Sequence, residues 1–355
     1  MPQRTYVTYR RRPGFLERIG HSCTGVIGGM LVVLLAVVML YYNEGHSVAT
    51  AEMLEEGLSL VQPLYLAAKS NLNGVLVHHI GLLEAENELY EDHYKFSVPC
   101  VKLRRKVEMF QWVEHSHSTE VSVGDSIKKE TTYTYDTEWS ETLSNSRNFD
   151  EEIGHVNPRD FLLESKTKSL QVVNCGGTTL SSHLVDQIDW FVDIIVPPGV
   201  QSTHYKRYIY HGEDPMHPVV GDTRVSFQCA GITGKSELLG ERDAVSIIAS
   251  YANDALTTFR TSNGRSISFL RRGPMTAEQM FRLEESNNNK LTWFIRLAGF
   301  VLMYVGLMVM TRIITTLVDW IPVLRQIVSF SVSMWNLSLA AFLTILTIAI
   351  SWLRF

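Results

Sequence analysis

The sequence predicts a membrane protein: an α-helical transmembrane anchor of several helices carrying a large β-rich α+β domain on the lumenal side. Three observations carry this reading. Apolar runs at Gly25–Tyr42 and Leu291–Leu353 bracket the chain. At 1.5 Å per helical residue, Leu291–Thr311 alone is long enough to cross a ~30 Å hydrocarbon core. The residues between the runs alternate apolar and polar with the period of strands. Charge is also segregated: Arg4, Arg10, Arg11, Arg12 and Arg18 stand against Glu17 before the first run, and acidic residues are in excess after it. By the positive-inside rule, that asymmetry predicts a basic N-terminal segment, residues 1–24, on the cytosolic or nucleoplasmic side.

The first span is expected at residues 25–42. Ser47-Val48-Ala49 resembles a signal-peptidase site, but a run of about seventeen residues exceeds the usual h-region of roughly 7–15 and favours an uncleaved signal-anchor. Tyr41 and Tyr42 close the run at the depth that aromatic rings prefer. Gly25-x-x-x-Gly29 lets a second helix approach closely; the plainer reading is a frayed helix start.

Residues 43–290 read as the lumenal domain. Met53, Leu54 and Leu58 have helical spacing just after the span, and from Val75 the period shifts towards two. A longer strand places Val101, Leu103, Val107, Met109 and Val113 on one face and Lys102, Arg104, Lys106 and Glu108 on the other, read as solvated. Tyr133, Tyr135 and Trp139 alternate with Thr134, Asp136 and Glu138 on the next strand. Further strands are expected around Lys206–His211, Asp222–Gly231, Ala244–Tyr251 and Ser266–Arg272; the stretch 148–169 is less regular and suits a helix or long loop. Thr276 caps a helix running to the membrane.

Candidate chemistry is sparse. His115 and His117 share a strand face and His78-His79 are adjacent, yet neither pair has cysteine or carboxylate partners at metal-ligand spacing, so surface histidines account for them better. Of four cysteines, Cys23 lies at the membrane entry, and Cys100, Cys175 and Cys229 cannot all pair; one bridge is possible in an oxidising compartment. Nucleophile elbows, phosphate loops and dinucleotide fingerprints are absent. The expectation is a protein that is no enzyme, binds no nucleic acid and needs no cofactor.

In the C-terminal anchor, spans are expected at residues 291–311 and 335–353, with a third helix at 313–332 that spans or lies in the interface. Arg296 can snorkel from the start of its span. Ala340, Thr344, Thr347 and Ser351 form a small-residue stripe suited to helix packing. Arg312, Asp319 and Arg325 give the third helix a polar face, which needs partners in lipid or a place at the surface. Pro322 argues against that helix crossing. Gly25, Gly29, Arg312, Asp319, Arg325, Ala340 and Thr344 are therefore the candidate packing and polar-face residues, and a homo-oligomer built through the membrane helices is expected.

Several long strings, among them Pro13–Gly20, Asn43–Val61, Val101–Glu114, Lys128–Trp139, Asn148–Pro158, Val220–Phe227 and Met310–Val328, resemble the LUMA family, transmembrane protein forty-three of the nuclear envelope and endoplasmic reticulum. The resemblance implies four spans, both termini on the cytosolic or nucleoplasmic side, residence in the inner nuclear membrane and endoplasmic reticulum, self-association, and emerin and lamins as partners beside membrane lipids. It carries no catalytic residue. The function expected is that of a structural scaffold organising nuclear-envelope complexes. The alternatives are a pore component, from the charges of the third apolar segment, and a lumenal lipid-binding module, from the aromatic strands.

Overall fold

The computed structural model describes residues 3–11, 15–64, 73–124, 126–195, 203–205, 207–235, 239–318 and 321–354. They form two compact units: a β unit of 1–11, 61–259 and 268–276, and a helical unit of 12–60, 260–267 and 277–355. In chain order the elements are β1 (Gln3–Arg11), α1 (Phe15–Leu60), β2 (Gln62–Pro63), β3 (Leu76–Glu84), β4 (Leu89–Glu91), β5 (Phe96–Val98), β6 (Cys100–Val123), β7 (Ser126–Ser140), β8 (Lys166–Ser169), β9 (Asn174–Cys175), β10 (Thr178–Leu180), α2 (Ser182–Asp186), β11 (Val192–Ile194), β12 (Thr203–Tyr205), β13 (Tyr208–His211), β14 (Thr223–Ile232), β15 (Ala244–Ala252), β16 (Ala255–Thr257), β17 (Phe259–Arg260), β18 (Ser266–Ile267), β19 (Phe269–Arg272), α3 (Ala277–Leu317) and α4 (Pro322–Arg354).

The β unit contains two main sheets. One runs β1-β7-β6-β14-β13-β12, with β11 added to β14 and β8 to β6; the other runs β19-β15-β16-β10-β9-β3-β2. Because β15 also pairs with β3, the strands β3, β9, β10, β16 and β15 close a circuit. The alternation seen in the sequence sets the registers. Val101, Leu103, Val107 and Met109 of β6 are buried, and Val225, Phe227 and Cys229 of β14 pack beside Leu103 and Val107 in one core cluster. A second cluster joins Val77, Val245, Ile247 and Leu256 from the closed circuit to Val101 and Ala230.

The basic face of β6 is covered rather than solvated. Lys102 Nζ donates to the Asp186 carbonyl, the Arg104 guanidinium lies 3.7 Å from the Phe191 ring centroid, and Lys106 is 2.5 Å from Glu141. The segment from α2 to β11 supplies the partners of Lys102 and Arg104, and local periodicity cannot reveal a cover that arrives about 80 residues later. Arg105, which lies between the basic residues of that face, is itself buried and pairs with Glu91 at 2.5 Å. The irregular stretch 148–169 is a loop entered through a short 3-10 turn, Ser146–Asn148, and it ends in β8. It is pinned by Asn157, whose Nδ2 donates to the carbonyls of Trp112 and Ser144 while its Oδ1 accepts from Trp112 N.

β6 and β7 extend well past the other strands as a long hairpin, paired from Met109↔Ser140 to Val123↔Ser126. The basic N-terminal segment contributes β1 to the β7 edge of this arm, from Gln3↔Thr134 to Arg11↔Ser126. Its alternation of threonine and tyrosine suits a strand; Tyr6 meets Tyr133 edge-on, and Thr5 and Thr132 hydroxyls lie 3.2 Å apart. The sequence reading registered only the charge of this segment.

Among the described residues, three helices are apolar and long enough to cross a membrane, not four. Residues 313–332 are no separate helix: their first residues end α3, and the rest opens α4, which continues unbroken through the turn expected near Ser331–Asn336. Pro322 is the first residue of α4, where a missing N–H is tolerated. From there to Arg354 no glycine or proline interrupts the helix. The proline that argued against a crossing third helix is thus a helix start.

α1 and α3 pack antiparallel at very short range. A Cβ on Gly29 would stand 2.5 Å from the Gly306 carbonyl oxygen, and one on Gly306 would stand 2.9 Å from that of Gly29. Gly28, one residue away, faces open space. Gly29→Val should therefore destabilise the detergent-solubilised chain by about 1–3 kcal/mol through overpacking, with Gly28→Val close to neutral; equal thermal shifts for both would contradict the packing.

Two half-buried histidines of the β unit predict a pH response. His78 shares a 2.9 Å hydrogen bond with the Met275 carbonyl and His211 one of 2.8 Å with the Tyr94 hydroxyl. Burial lowers the pKa of both, and His93 adds to the effect at His211. Such a group takes up its proton more readily in the unfolded chain, so stability present above about pH 6.5 is lost as pH falls below it. The melting temperature of the full chain should fall between about pH 7 and about pH 5, and the fall should shrink in His78→Gln and His211→Gln. A pH dependence identical to wild type in both variants would refute the assignment.

A polar clamp in the helical unit as candidate functional site

The apolar face of α1 ends at Tyr42, and the next two residues carry polar side chains into the bundle. Glu44 is 1% exposed. Its carboxylate accepts from Arg296 of α3 at both oxygens, Nε to Oε1 at 2.7 Å and Nη2 to Oε2 at 2.6 Å. Trp352 of α4 donates its indole N–H to Oε2 at 2.7 Å. Asn43 Nδ2 reaches the Thr292 carbonyl at 3.4 Å, and Ser351 Oγ donates to the Tyr41 carbonyl at 3.1 Å. One carboxylate thus holds all three helices through charge-assisted bonds in fork geometry. The pair is neutral overall, which lets it sit where either charge alone is costly. Arg296 does not snorkel to water as expected; its partner is Glu44, 252 residues away in sequence.

Below the clamp the helices pack on small residues. Ala36, Leu40, Met303, Leu307 and Ala340 form a buried cluster, with Ala340 fully covered. Asn336 donates to Thr311 Oγ1 at 2.7 Å between α4 and α3. Of the candidate residues, Gly29 makes the closest approach, Gly25 lies against Val309 at ordinary contact distance, and Ala340 and Thr344 face inward. The stripe Ala340, Thr344, Thr347 and Ser351 is buried within this chain rather than left for a second copy. Arg312 and Arg325 are exposed on α3 and α4, and Asp319 lies outside the described residues.

In the β unit the titratable groups are tied into closed contacts. Burial raises the Tyr94 phenol to about 12 and the Cys175 thiol to about 12, keeping both protonated and unreactive at neutral pH. His79 bonds the Cys175 carbonyl, and among the described residues no three metal-binding side chains converge. The aromatic strands pack as core: Tyr135 stacks on His155 at 4.0 Å, and Trp112 meets the same ring edge-on. A nearby hollow of 350 Å³ has a mixed lining, polar at Asn145, Arg147 and Glu152 and apolar at Leu143, Val156 and Pro158.

Sequence reasoning missed Glu44, although a signal was present. Opposite charges stood just past the end of the first apolar run and just inside the start of the second, which places them level in antiparallel helices. Removing one partner leaves the other buried and unpaired. Glu44→Leu should cost roughly 3–5 kcal/mol, and the double variant Glu44→Leu with Arg296→Leu markedly less, as measured by thermal unfolding in detergent. A double variant as unstable as the sum of the singles would show that the pair does not act as a unit.

A family model described as transmembrane protein 43 matches residues 109–355. The chain is 41% identical over 354 residues to mouse transmembrane protein 43, covering 98% of this chain and 88% of that protein. It is 41% identical over 349 residues to the human protein, covering 96% and 87%. With the transmembrane protein 43 homolog of Drosophila melanogaster it shares 28% over 336 residues, covering 92% and 87%. No solved structure matches. The match takes in the hairpin arm from Met109, both later membrane helices and Arg296 of the clamp, and the chain belongs to the transmembrane protein 43 family.

Proposed function

We propose that this chain is a structural scaffold of the inner nuclear membrane and endoplasmic reticulum, not an enzyme. It self-associates and helps organise nuclear-envelope complexes that include emerin and lamins. The β unit occupies the lumen and the basic N-terminal segment faces the nucleoplasm. The family resemblance motivates the named partners and compartments. The observation that supports recruitment is the hairpin arm, a two-stranded ladder that runs past the rest of its sheet with residues exposed on both faces from His115 onward. In the lumen its β7 edge, which a crossing by α1 separates from β1, offers main-chain pairing to a partner strand.

A second edge of the arm points the same way. Phe110 N donates to the Asp222 carbonyl and Trp112 N to Asn157, both on the β14 side of β6. With a period of two, Ser116, Ser118 and Glu120 present their N–H groups on that side, beyond the last β14 pairing at Met109. Proline at Ser116 and Ser118 removes outward donors while leaving the β7 ladder its own. Partner recovery from cells with the full-length double variant should drop about tenfold, the equivalent of one or two lost hydrogen bonds, with membrane integration unchanged. Unaltered recovery would remove the arm from the proposal.

Topology supplies a separate test. A single crossing by α1 puts β1 and β7 on opposite sides of the membrane, so their pairing and that crossing are alternatives. Thr5→Cys with Thr132→Cys, register partners, should cross-link in detergent but not in sealed membranes. Cross-linking in sealed membranes would place the N-terminus with the β unit and overturn the single crossing.

A further inference from the structure

We propose that the outer face shared by α3 and α4 binds one zwitterionic glycerophospholipid, its tail in an apolar groove and its headgroup on the adjoining turns of α3. The groove encloses 640 Å³ between the two helices, within the range of specific small-molecule sites at about 300–1,000 Å³. Its walls are almost wholly apolar, from Leu297 and Phe300 on α3 and Ala341, Ile345 and Ile348 on α4. At one end it meets Trp293, and Trp293 also borders a second hollow of 580 Å³ formed by the preceding turns of α3. The two spaces therefore adjoin at a tryptophan, the ring that favours the headgroup boundary.

Charge specifies the headgroup. Of the ionic residues around the second hollow, Arg282 is occupied by Glu278 at 2.6 Å. Glu285 and Lys290 line it with no ion-pair partner among the described residues. A phosphate fits Lys290 and a neighbouring ammonium fits Glu285, the two charges of a choline or ethanolamine headgroup. Length agrees as well: from Lys290 to Phe300 is ten helical residues, about 15 Å, the depth of one leaflet of a ~30 Å core. Lys290, Trp293, Leu297 and Phe300 follow helical spacing along a single stripe, polar at the top and apolar below. Deep in the groove, Thr344 Oγ1 is buried without a hydrogen-bond partner, a polar atom that helix packing leaves unused.

The test uses the full chain in phosphatidylcholine nanodiscs containing a trace of phosphatidylcholine with a photoreactive diazirine near the end of one acyl chain. Adducts mapped by peptide mass spectrometry should concentrate on Leu297–Phe300 and Ala341–Ile348. Filling the groove with Ala341→Trp and Ala349→Trp should lower those adducts about tenfold, and Lys290→Glu, which lies outside the groove and leaves the packing intact, should lower them several-fold, about half the effect in free-energy terms. Leu31→Trp, on an exposed face of α1, should leave them unchanged. Three results would overturn the proposal: adducts spread evenly over α1, α3 and α4; displacement of the probe by an equal mole fraction of sterol, which assigns the groove to a sterol; and loss of adducts on dimerisation, which assigns it to a second copy.

Discussion

The bidentate pair between Glu44 and Arg296 is the constraint on which the helical unit depends. Apolar helices in lipid have no hydrophobic reason to choose one rotation or vertical offset over another, because tails cover any face equally well. A charge that tolerates only one partner removes that freedom. With Arg296 level with Glu44, Gly306 falls opposite Gly29, and Trp352 reaches the same carboxylate only if α4 runs upward beside both. Register, orientation and neighbour choice for three helices then follow from one anion and its donors.

The β unit solves the same problem of register differently. Its long strands are fixed by alternation and burial near the core, where Leu103, Val107 and Phe227 interlock. Past Met109 the hairpin loses that support, and its residues become exposed on both faces from His115 onward. Such a strand pair keeps its ladder but offers its edges, and natural sheets usually blunt such edges with charge or a covering strand. Here Glu114, Glu120, Lys128 and Lys129 supply the charge, and β1 covers the edge wherever the N-terminus lies on the same side of the membrane as β7. The arm thus balances availability against uncontrolled pairing.

Much of this was legible from residues alone. The membrane runs, the helix beginning after Thr276, and the strands around Leu76, Val101, Tyr135, Val225 and Ile247 are local patterns, and local patterns survive folding. What escaped was non-local. The cover over Lys102 and Arg104 comes from another part of the chain, and β1 was read by charge although its alternation was visible. The number of helices was misjudged because Pro322 has two meanings, a kink inside a helix or the first residue of one, and only the connection before it decides. Of the candidate site, the glycines and Ala340 were found by spacing, whereas Glu44 gained its meaning only from Arg296.

The distance along the chain between those two residues has a temporal side. Ribosomes add roughly 5–20 residues each second, so the 252 residues separating Glu44 from Arg296 take about 13–50 seconds to make. Through that interval the first helix already sits at the bilayer with its carboxylate unanswered. Placement of Glu44 at the boundary, two residues beyond Tyr42, lets water or lipid headgroups attend it during the wait. Completion of the bundle is therefore gated by translation of the entire β unit, and a chain stalled within that unit would leave a lone anionic helix in the membrane, a form that quality-control machinery could tell apart from the finished protein.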